Sequence, residues 1–339
     1  MMKAVGYLQS LPIDHPEALL DIELPQPTPG SHDLLVKVQA VSVNPVDTKV
    51  RKRSAPPLGS YKVLGWDACG TVVAVGAKVT HFKVGDAVWY AGDITRQGSN
   101  AEYQVVDERI VGPKPETLSF AEAAALPLTG LTAWELLFDR LQVPKEPVRP
   151  DDTILVVGAA GGVGSIMIQL IRQLTGYRVA ATASRPESRE WVKSLGAEIV
   201  INHNRPLARE LEVAGIANVP YAVCLNQTDQ HFSEIVTALR PQGRFGLIDD
   251  PQQLLDIRQL KLKSLSLHWE LMFTRSMFQT PDMLRQREIL TELSTLVDAG
   301  KIRTTLQEKL GFINATNLRR AHTRLEAHEA RGKMVLEGF

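Results

Sequence analysis

Ile154-Leu-Val-Val-Gly-Ala-Ala-Gly-Gly-Val-Gly-Ser-Ile-Met-Ile-Gln-Leu170 joins an aliphatic run, a glycine-rich turn and an apolar helical stretch. Ile154–Val157 has the composition of a parallel strand buried on both faces. The turn that follows reads Ala159-Ala160-Gly161-Gly162-Val163-Gly164, with Gly158 ahead of it. This matches the dinucleotide fingerprint with Ala159 in place of the first glycine. Gly161 lets the backbone approach a pyrophosphate, and Gly164 lets the helix pack closely on the strand. The helix N-terminus offers free N–H groups and a partial positive charge. Ala159, Gly161, Gly162, Val163 and Gly164 therefore form the candidate cradle. A second strand pattern at Arg178–Thr182 supplies the βαβ context that a lone glycine pattern lacks.

That second strand bears on the cofactor. Dinucleotide sites for NAD carry an Asp or Glu roughly 20 residues past the glycines, on the ribose 2′-hydroxyl. Here the strand runs into Ala183-Ser184-Arg185-Pro186, without a carboxylate. Ser184 can donate to a phosphate, Arg185 can pair with it through its guanidinium fork, and Arg189 lies one helical turn further on. NADPH is expected over NADH. The alternative is that Arg185 and Arg189 are solvated residues at a helix start.

A chain of 339 residues suggests about two domains. Lys+Arg and Asp+Glu balance at 38 each, so no basic excess points to nucleic acid or to a charged membrane surface. No apolar run is long enough to span a bilayer. The N-terminus lacks a hydrophobic signal region. Cys69 and Cys224 stand in strand-like apolar surroundings and read as buried thiols. A soluble cytoplasmic protein without disulfides is expected.

The first part of the chain is strand-rich and heavily punctuated. Leu34–Val43 alternates in its middle, and Gly70–Gly76, Val84–Tyr90 and Ala101–Val106 follow as further strands. Ser119 and Glu122 form a capping-box signature before an alanine-rich helix, and Leu131–Leu141 continues as helix. From Thr153 strands alternate with helices. The strands are Ile154–Val157, Arg178–Thr182, Glu198–Ile201, Tyr221–Leu225, Arg244–Ile248 and Leu265–Trp269. The helices include Gly162–Leu174, Pro186–Leu195 and His231–Leu239. That alternation predicts an α/β fold with a doubly wound parallel sheet. Pro281–Ala299 and Ala315–Ala330 read as amphipathic helices, and Gly332–Gly338 as a strand returning to the first domain. The expected division is 1–125, a β-rich domain; 126–270, the dinucleotide-binding domain; and 271–339, a return segment.

Several stretches carry a family resemblance: Val43-Asn-Pro-Val-Asp47, Gly65-Trp-Asp-Ala-Cys-Gly-Thr-Val72, Val84-Gly-Asp-Ala-Val88, Leu126-Pro-Leu-Thr-Gly-Leu-Thr-Ala-Trp134, the glycine turn and Gly332-Lys-Met-Val-Leu336. Across essentially its whole length the chain resembles the medium-chain dehydrogenase/reductase superfamily, and within it the zinc-independent quinone oxidoreductases, including "zinc-type alcohol dehydrogenase-like" proteins. The resemblance implies a GroES-like catalytic domain plus a Rossmann domain. Zinc enzymes of this superfamily hold the metal with Cys and His. Here the corresponding regions read Asn44–Asp47, Gly65-Trp66-Asp67 and Leu126–Thr132, with no Cys or His among them. One carboxylate, Asp67, does not make a zinc site, so no metal is expected.

The implied activity is NADPH-dependent hydride transfer to a quinone or an α,β-unsaturated carbonyl. The alternatives are a zinc-type alcohol dehydrogenase and a non-catalytic NADPH-binding redox sensor. The resemblance places Asn44 and Asp47 at the active-site cleft, although both residue types also suit a turn. Lys49 is a candidate for stabilising an enolate or phenolate, or is simply exposed. Trp66 is a candidate aromatic wall, or core. Thr129 corresponds to a residue beside the nicotinamide ribose. Asn226, Leu247 and Ile248 are expected near the cofactor at strand ends, and Lys333 either reaches it or is a strand-end charge. Trp269 and Phe273 close the pocket or pack the sheet edge. Water or the Tyr61 hydroxyl is the proton source. The last strand, Ser264–Trp269, is a candidate sheet edge, and a homodimer paired along it is expected.

Overall fold

Strand β1 (Met2–Tyr7) pairs antiparallel with β2 (Leu20–Leu24) in a small sheet, while β3 (Asp33–Ser42) starts a larger one. The computed structural model describes Met1–Phe339 and divides into two units, Met1–Leu131 with Phe273–Phe339, and Thr132–Met272.

In the first unit β3 is the central strand, which explains why its burial exceeds simple alternation. Helix α1 (Pro45–Arg53) follows at once. The Asn44-Pro45 pair, whose residue types also suit a turn, is a helix start: Asn44 is N-cap, Pro45 sits at the first helical position, and the Asp47 carboxylate accepts the Asn44 N–H at 2.6 Å. Strand β4 (Lys62–Val63) joins the small sheet, and β5 (Ala68–Val75), β6 (Ala87–Tyr90), β7 (Tyr103–Asp107) and β8 (Val111–Pro113) extend the large one. Helix α2 (Phe120–Ala124) carries the expected Ser119–Glu122 capping box. Helix α3 (Pro127–Trp134) begins in this unit. The Leu128 N–H is tied to Asp67 at 3.0 Å, and Gly130 lies against Leu293, so this unit runs to Leu131 rather than to the expected residue 125.

The second unit is a six-stranded sheet, all pairs parallel. Its strands are β9 (Thr153–Val157), β10 (Arg178–Thr182), β11 (Ile199–Ile201), β12 (Val219–Cys224), β13 (Leu239–Leu247) and β14 (Ser266–Trp269), in spatial order β11-β10-β9-β12-β13-β14. The order reverses beside β9, the switch point at which such sheets bind ligands. The crossovers use α4 (Gly162–Leu174), α5 (Pro186–Ser194), α6 (Leu207–Val213) and α7 (Thr228–Ala238). Helix α6 has no counterpart among the helices expected from sequence. Helix α7 starts three residues before the expected His231. Its first turn is fixed from a distance: the Asp249 carboxylate accepts Thr228 N–H at 2.9 Å and also the Thr228 hydroxyl. Lys263 closes the other end, donating to the carbonyls of Val236, Thr237 and Leu239.

The chain then returns to the first unit. It forms α8 (Thr274–Met277), α9 (Arg285–Asp298), β15 (Leu306–Lys309), α10 (Ala315–Glu326) and β16 (Lys333–Glu337). Strand β16 pairs antiparallel with β3, Val335 opposite Ser42, so the last strand completes the sheet that the third began. Cys69 and Cys224 are both buried free thiols. No helix is long and apolar enough to cross a membrane.

On α10, His322 is fully buried and neither ring nitrogen is hydrogen-bonded. Burial, reinforced by the Arg51 and Lys52 charges, pulls its imidazole down to about 3. The unfolded chain therefore takes up the proton first. Its contribution to stability is intact above about pH 6.5 and is lost at about 1.4 kcal/mol per pH unit as the pH falls toward 3. Urea unfolding at pH 7 and pH 4.5 should show a smaller loss for His322→Phe than for the unaltered protein; equal losses would refute this account.

Candidate functional site

Gly158 ends β9 with φ +79°, and a side chain there would collide with the Asn226 amide. Gly158 makes the sharp turn, a role that the sequence reading left outside its set of site residues. Gly164 is equally constrained, since a Cβ would stand 2.5 Å from Ala159 Cα. At Gly161, N-cap of α4, a Cβ would meet only the Gly158 carbonyl, at 3.5 Å. The space over Gly161 is open, and no side chain caps the helix. Its first-turn N–H groups are left without a side-chain acceptor, the arrangement that suits a pyrophosphate. Gly161, Gly162 and Val163 are partly accessible, whereas Ala159 is buried and serves through its backbone. The residues present fit a dinucleotide.

The adjoining strand tip is tied to this turn by Gly158 N–H donating to Thr182 Oγ1 at 3.1 Å. Ser184 and exposed Arg185 follow directly. Ser184 Oγ lies 3.4 Å from His203 Nε2, beyond β11. Arg189 behaves differently from the expectation. Its two terminal nitrogens donate to the carbonyls of Ala183 and Val200, each at 3.2 Å, bracing β10 against β11. Leu247 is also reassigned: it is fully buried among Leu155, Phe232 and Phe245 in the sheet core. Ile248 is half-buried one residue on.

In the first unit, Asn44, Asp47 and Lys333 come together around Asp67, all of them buried. Lys333 Nζ lies 3.1 Å from Asp67 Oδ2 and donates to the Val43 carbonyl at 3.1 Å and to Asn44 Oδ1. Asn44 Nδ2 donates to Asp67 Oδ2 at 3.1 Å, and Leu128 N–H donates to Asp67 Oδ1 at 3.0 Å. Asp47 accepts from Gly65 N–H at 3.1 Å. Lys333 is thus an internal cation, not the strand-end charge that sequence allowed. Burial works against both partners, raising the Asp67 carboxyl and lowering the Lys333 ammonium, while their mutual attraction opposes each shift. Burial also pushes the Asp47 carboxyl up to about 7.

The remaining candidates settle around this network. Trp66 is fully buried; its indole donates to the Asp93 carbonyl at 3.2 Å and meets Phe273 edge-on at 6.2 Å. It is core rather than an exposed wall. Phe273 is buried with it, whereas Trp269 in the second unit is 50% exposed. Thr129 is buried and donates to the Leu126 carbonyl at 3.2 Å. Lys49 is half-buried on α1. This donor set does not fit zinc. The Lys333 ammonium is paired with Asp67, Asp47 already accepts the Asn44 and Gly65 N–H groups, and three or more His, Cys, Asp or Glu side chains do not gather here as a metal would need.

A GroES-like unit joined to a doubly wound sheet defines an oxidoreductase architecture, and comparison with known proteins agrees. Residues 30–116 match the alcohol dehydrogenase GroES-like domain, and residues 195–336 match the zinc-binding dehydrogenase model. A zinc-type alcohol dehydrogenase-like protein of Staphylococcus aureus is 39% identical over 99% of both chains. A Rhizobium etli CFN 42 protein assigned as a zinc-dependent alcohol dehydrogenase is 57% identical, with TM-score 0.96 over 100% of this chain and 98% of that one. The Escherichia coli quinone oxidoreductase, crystallised with NADPH, is 25% identical, with TM-score 0.80 over 99% of each chain. The chain belongs to the medium-chain dehydrogenase/reductase superfamily and is an oxidoreductase of that family.

Removing one partner of a buried ion pair strands the other. Lys333→Met should cost about 3–5 kcal/mol in urea unfolding. Adding Asp67→Asn should recover much of that loss. Equal stability of Lys333→Met and the unaltered protein would show that the pair is not formed in solution.

Proposed function

We propose that the chain is an NADPH-dependent reductase of quinones or α,β-unsaturated carbonyls that works without zinc. The observation that carries this reading is the Asn44–Asp67–Lys333 network in the region where zinc enzymes of the superfamily place their metal. Without a Lewis acid, stabilising the alkoxide of a simple alcohol is harder. A conjugated carbonyl spreads the incoming charge over its own π-system and asks less of the protein. The E. coli quinone oxidoreductase bound to NADPH supports the same class.

When bound, NADPH supplies the hydride. The chain's part is to hold, orient and polarise. The glycine turn and the α4 N-terminus bind the pyrophosphate, and Ser184 and Arg185 take the 2′-phosphate. Asn44 has its amide orientation fixed at both ends: oxygen to Lys333, nitrogen to Asp67. An amide nitrogen carries two hydrogens, which leaves one to donate toward a substrate oxygen. A proton must accompany the hydride to complete either reduction; water and the Tyr61 hydroxyl are its two sources. Two unpaired thiols suit a reducing, cytoplasmic setting.

Strand β14 ends the six-stranded sheet, and Trp269 at its tip is half exposed. Pairing of β14 with its copy in a second chain would satisfy that edge, and a homodimer is proposed. Light scattering should return about twice 37.4 kDa; a monomer at micromolar concentration would exclude it.

The decisive assay follows nicotinamide oxidation with a benzoquinone and an unsaturated ketone, with EDTA present and NADH in parallel. Turnover that survives EDTA and prefers NADPH is expected. Arg185→Ala should cut the NADPH preference by about tenfold or more, the loss of one charge-assisted phosphate contact. Activity lost to EDTA and restored by zinc would overturn the proposal in favour of a zinc alcohol dehydrogenase. Saturable NADPH binding without turnover would favour a redox sensor.

A further inference from the structure

Two imidazoles stand beside the strand tip that carries Ser184 and Arg185. His203 follows β11, with Nε2 3.4 Å from Ser184 Oγ. His231, on α7, meets the His203 ring edge-on, with centroids 6.2 Å apart. His203 is half-buried and His231 nearly fully buried. The sequence reading assigned neither of them.

We infer that His203 is a third, protonatable donor to the cofactor's 2′-phosphate, so that the preference for NADPH over NADH strengthens as the pH falls. This inference rests on the NADPH reading above. Ser184 and Arg185 are neighbours on one strand tip, and His203 adds a contact from the next strand.

The electrostatics favour a proton that arrives with the ligand. In the free protein burial lowers the His203 pKa and the Arg185 charge lowers it further, so the ring is neutral at pH 7. His231 is lowered by burial and by His203, against weaker opposing pulls from Asp229, Asp249 and Glu234. The two rings therefore do not both hold a proton. Beyond β11, Arg205 is paired with Glu210 at 3.4 Å, and Glu210 also accepts Asn202 N–H, so neither brings a free charge to His203. A phosphate monoester carries nearly two negative charges at neutral pH. Docked on Ser184 and Arg185, it reverses the field at His203 and raises that pKa. The imidazole then takes a proton from water and donates Nε2–H to a phosphate oxygen. No covalent bond changes; one proton moves from solvent to the ring.

The sign follows from linkage. A ligand that prefers the protonated form binds more tightly as the pH falls from the bound toward the free pKa. NADH lacks the phosphate and carries no such dependence. Below about pH 6 the phosphate itself takes up the proton and the gain levels off.

The test measures dissociation constants for NADPH and NADH by nicotinamide fluorescence between pH 6 and 8.5. It also measures proton uptake calorimetrically in buffers of different ionisation enthalpy. For the unaltered protein the NADPH-to-NADH affinity ratio should fall several-fold, at most about tenfold, per pH unit as the pH rises. NADPH binding should take up a fraction of a proton that NADH binding does not. His203→Gln should flatten the ratio across the range while still binding NADPH better than NADH, and His231→Phe should retain the slope. Equal proton uptake with the two cofactors in the unaltered protein would overturn the inference. So would a full slope in His203→Gln, or a slope lost in His231→Phe alone. Equal affinity for the two cofactors at every pH, unchanged by Arg185→Ala, would instead overturn the NADPH reading, and this inference with it.

Discussion

One buried ammonium holds the first unit together at its most demanding point. Lys333 belongs to the last strand, yet it bonds Val43 and Asn44, 290 and 289 residues earlier in the chain. Through Asp67 it also reaches the start of β5 and the first turn of α3. Four segments thus share one charge network, and each supplies a group that another would otherwise leave unpaired. Buried polar groups tolerate no half-measures in a low-dielectric interior. The return segment is therefore required electrostatically as well as for strand pairing.

The same network bears on whether a metal could be held among these residues. A metal site needs a concentrated set of neutral or anionic donors, and Asp67 already spends its charge on Lys333. Asp47 is held by the Asn44 and Gly65 N–H groups, and the Asn44 amide is clamped at both ends. The cofactor side rests on a different constraint, the space left by missing Cβ atoms. Gly158 turns where a side chain would strike Asn226, Gly164 packs where one would strike Ala159, and Gly161 leaves open the space that a phosphate needs. Charge neutralisation governs one unit and steric absence the other.

Much of this was legible in the chain. Buried parallel strands announce themselves as aliphatic runs, and helix starts as proline, serine and acidic residues in fixed order. Five of the six strands of the doubly wound sheet lie within two residues of their expected bounds, and β13 starts at Leu239 where Arg244 was expected. Helix α4 and strand β10 match their expected bounds, because the turn and periodicity signals that define them are local. Helix α1 was hidden because Asn44-Pro45 suits either a turn or a helix start. The early start of α7 was hidden because its cap comes from Asp249, 21 residues away.

The sequence by itself determined the fold class, the family, the glycine cradle and the absence of a carboxylate at the tip of β10, since each depends on residue type at short spacing. Only the tertiary structure decided what individual polar side chains do. It engaged Arg189, a candidate phosphate ligand, as a brace between strands, decided between wall and core for Trp66 in favour of core, and made Lys333, expected to reach the cofactor or stand as a strand-end charge, an internal cation. It also brought His203 to Ser184. Hydrogen bonds and charge pairing act over a few ångströms in space whatever the separation along the chain, and that separation is all the sequence displays.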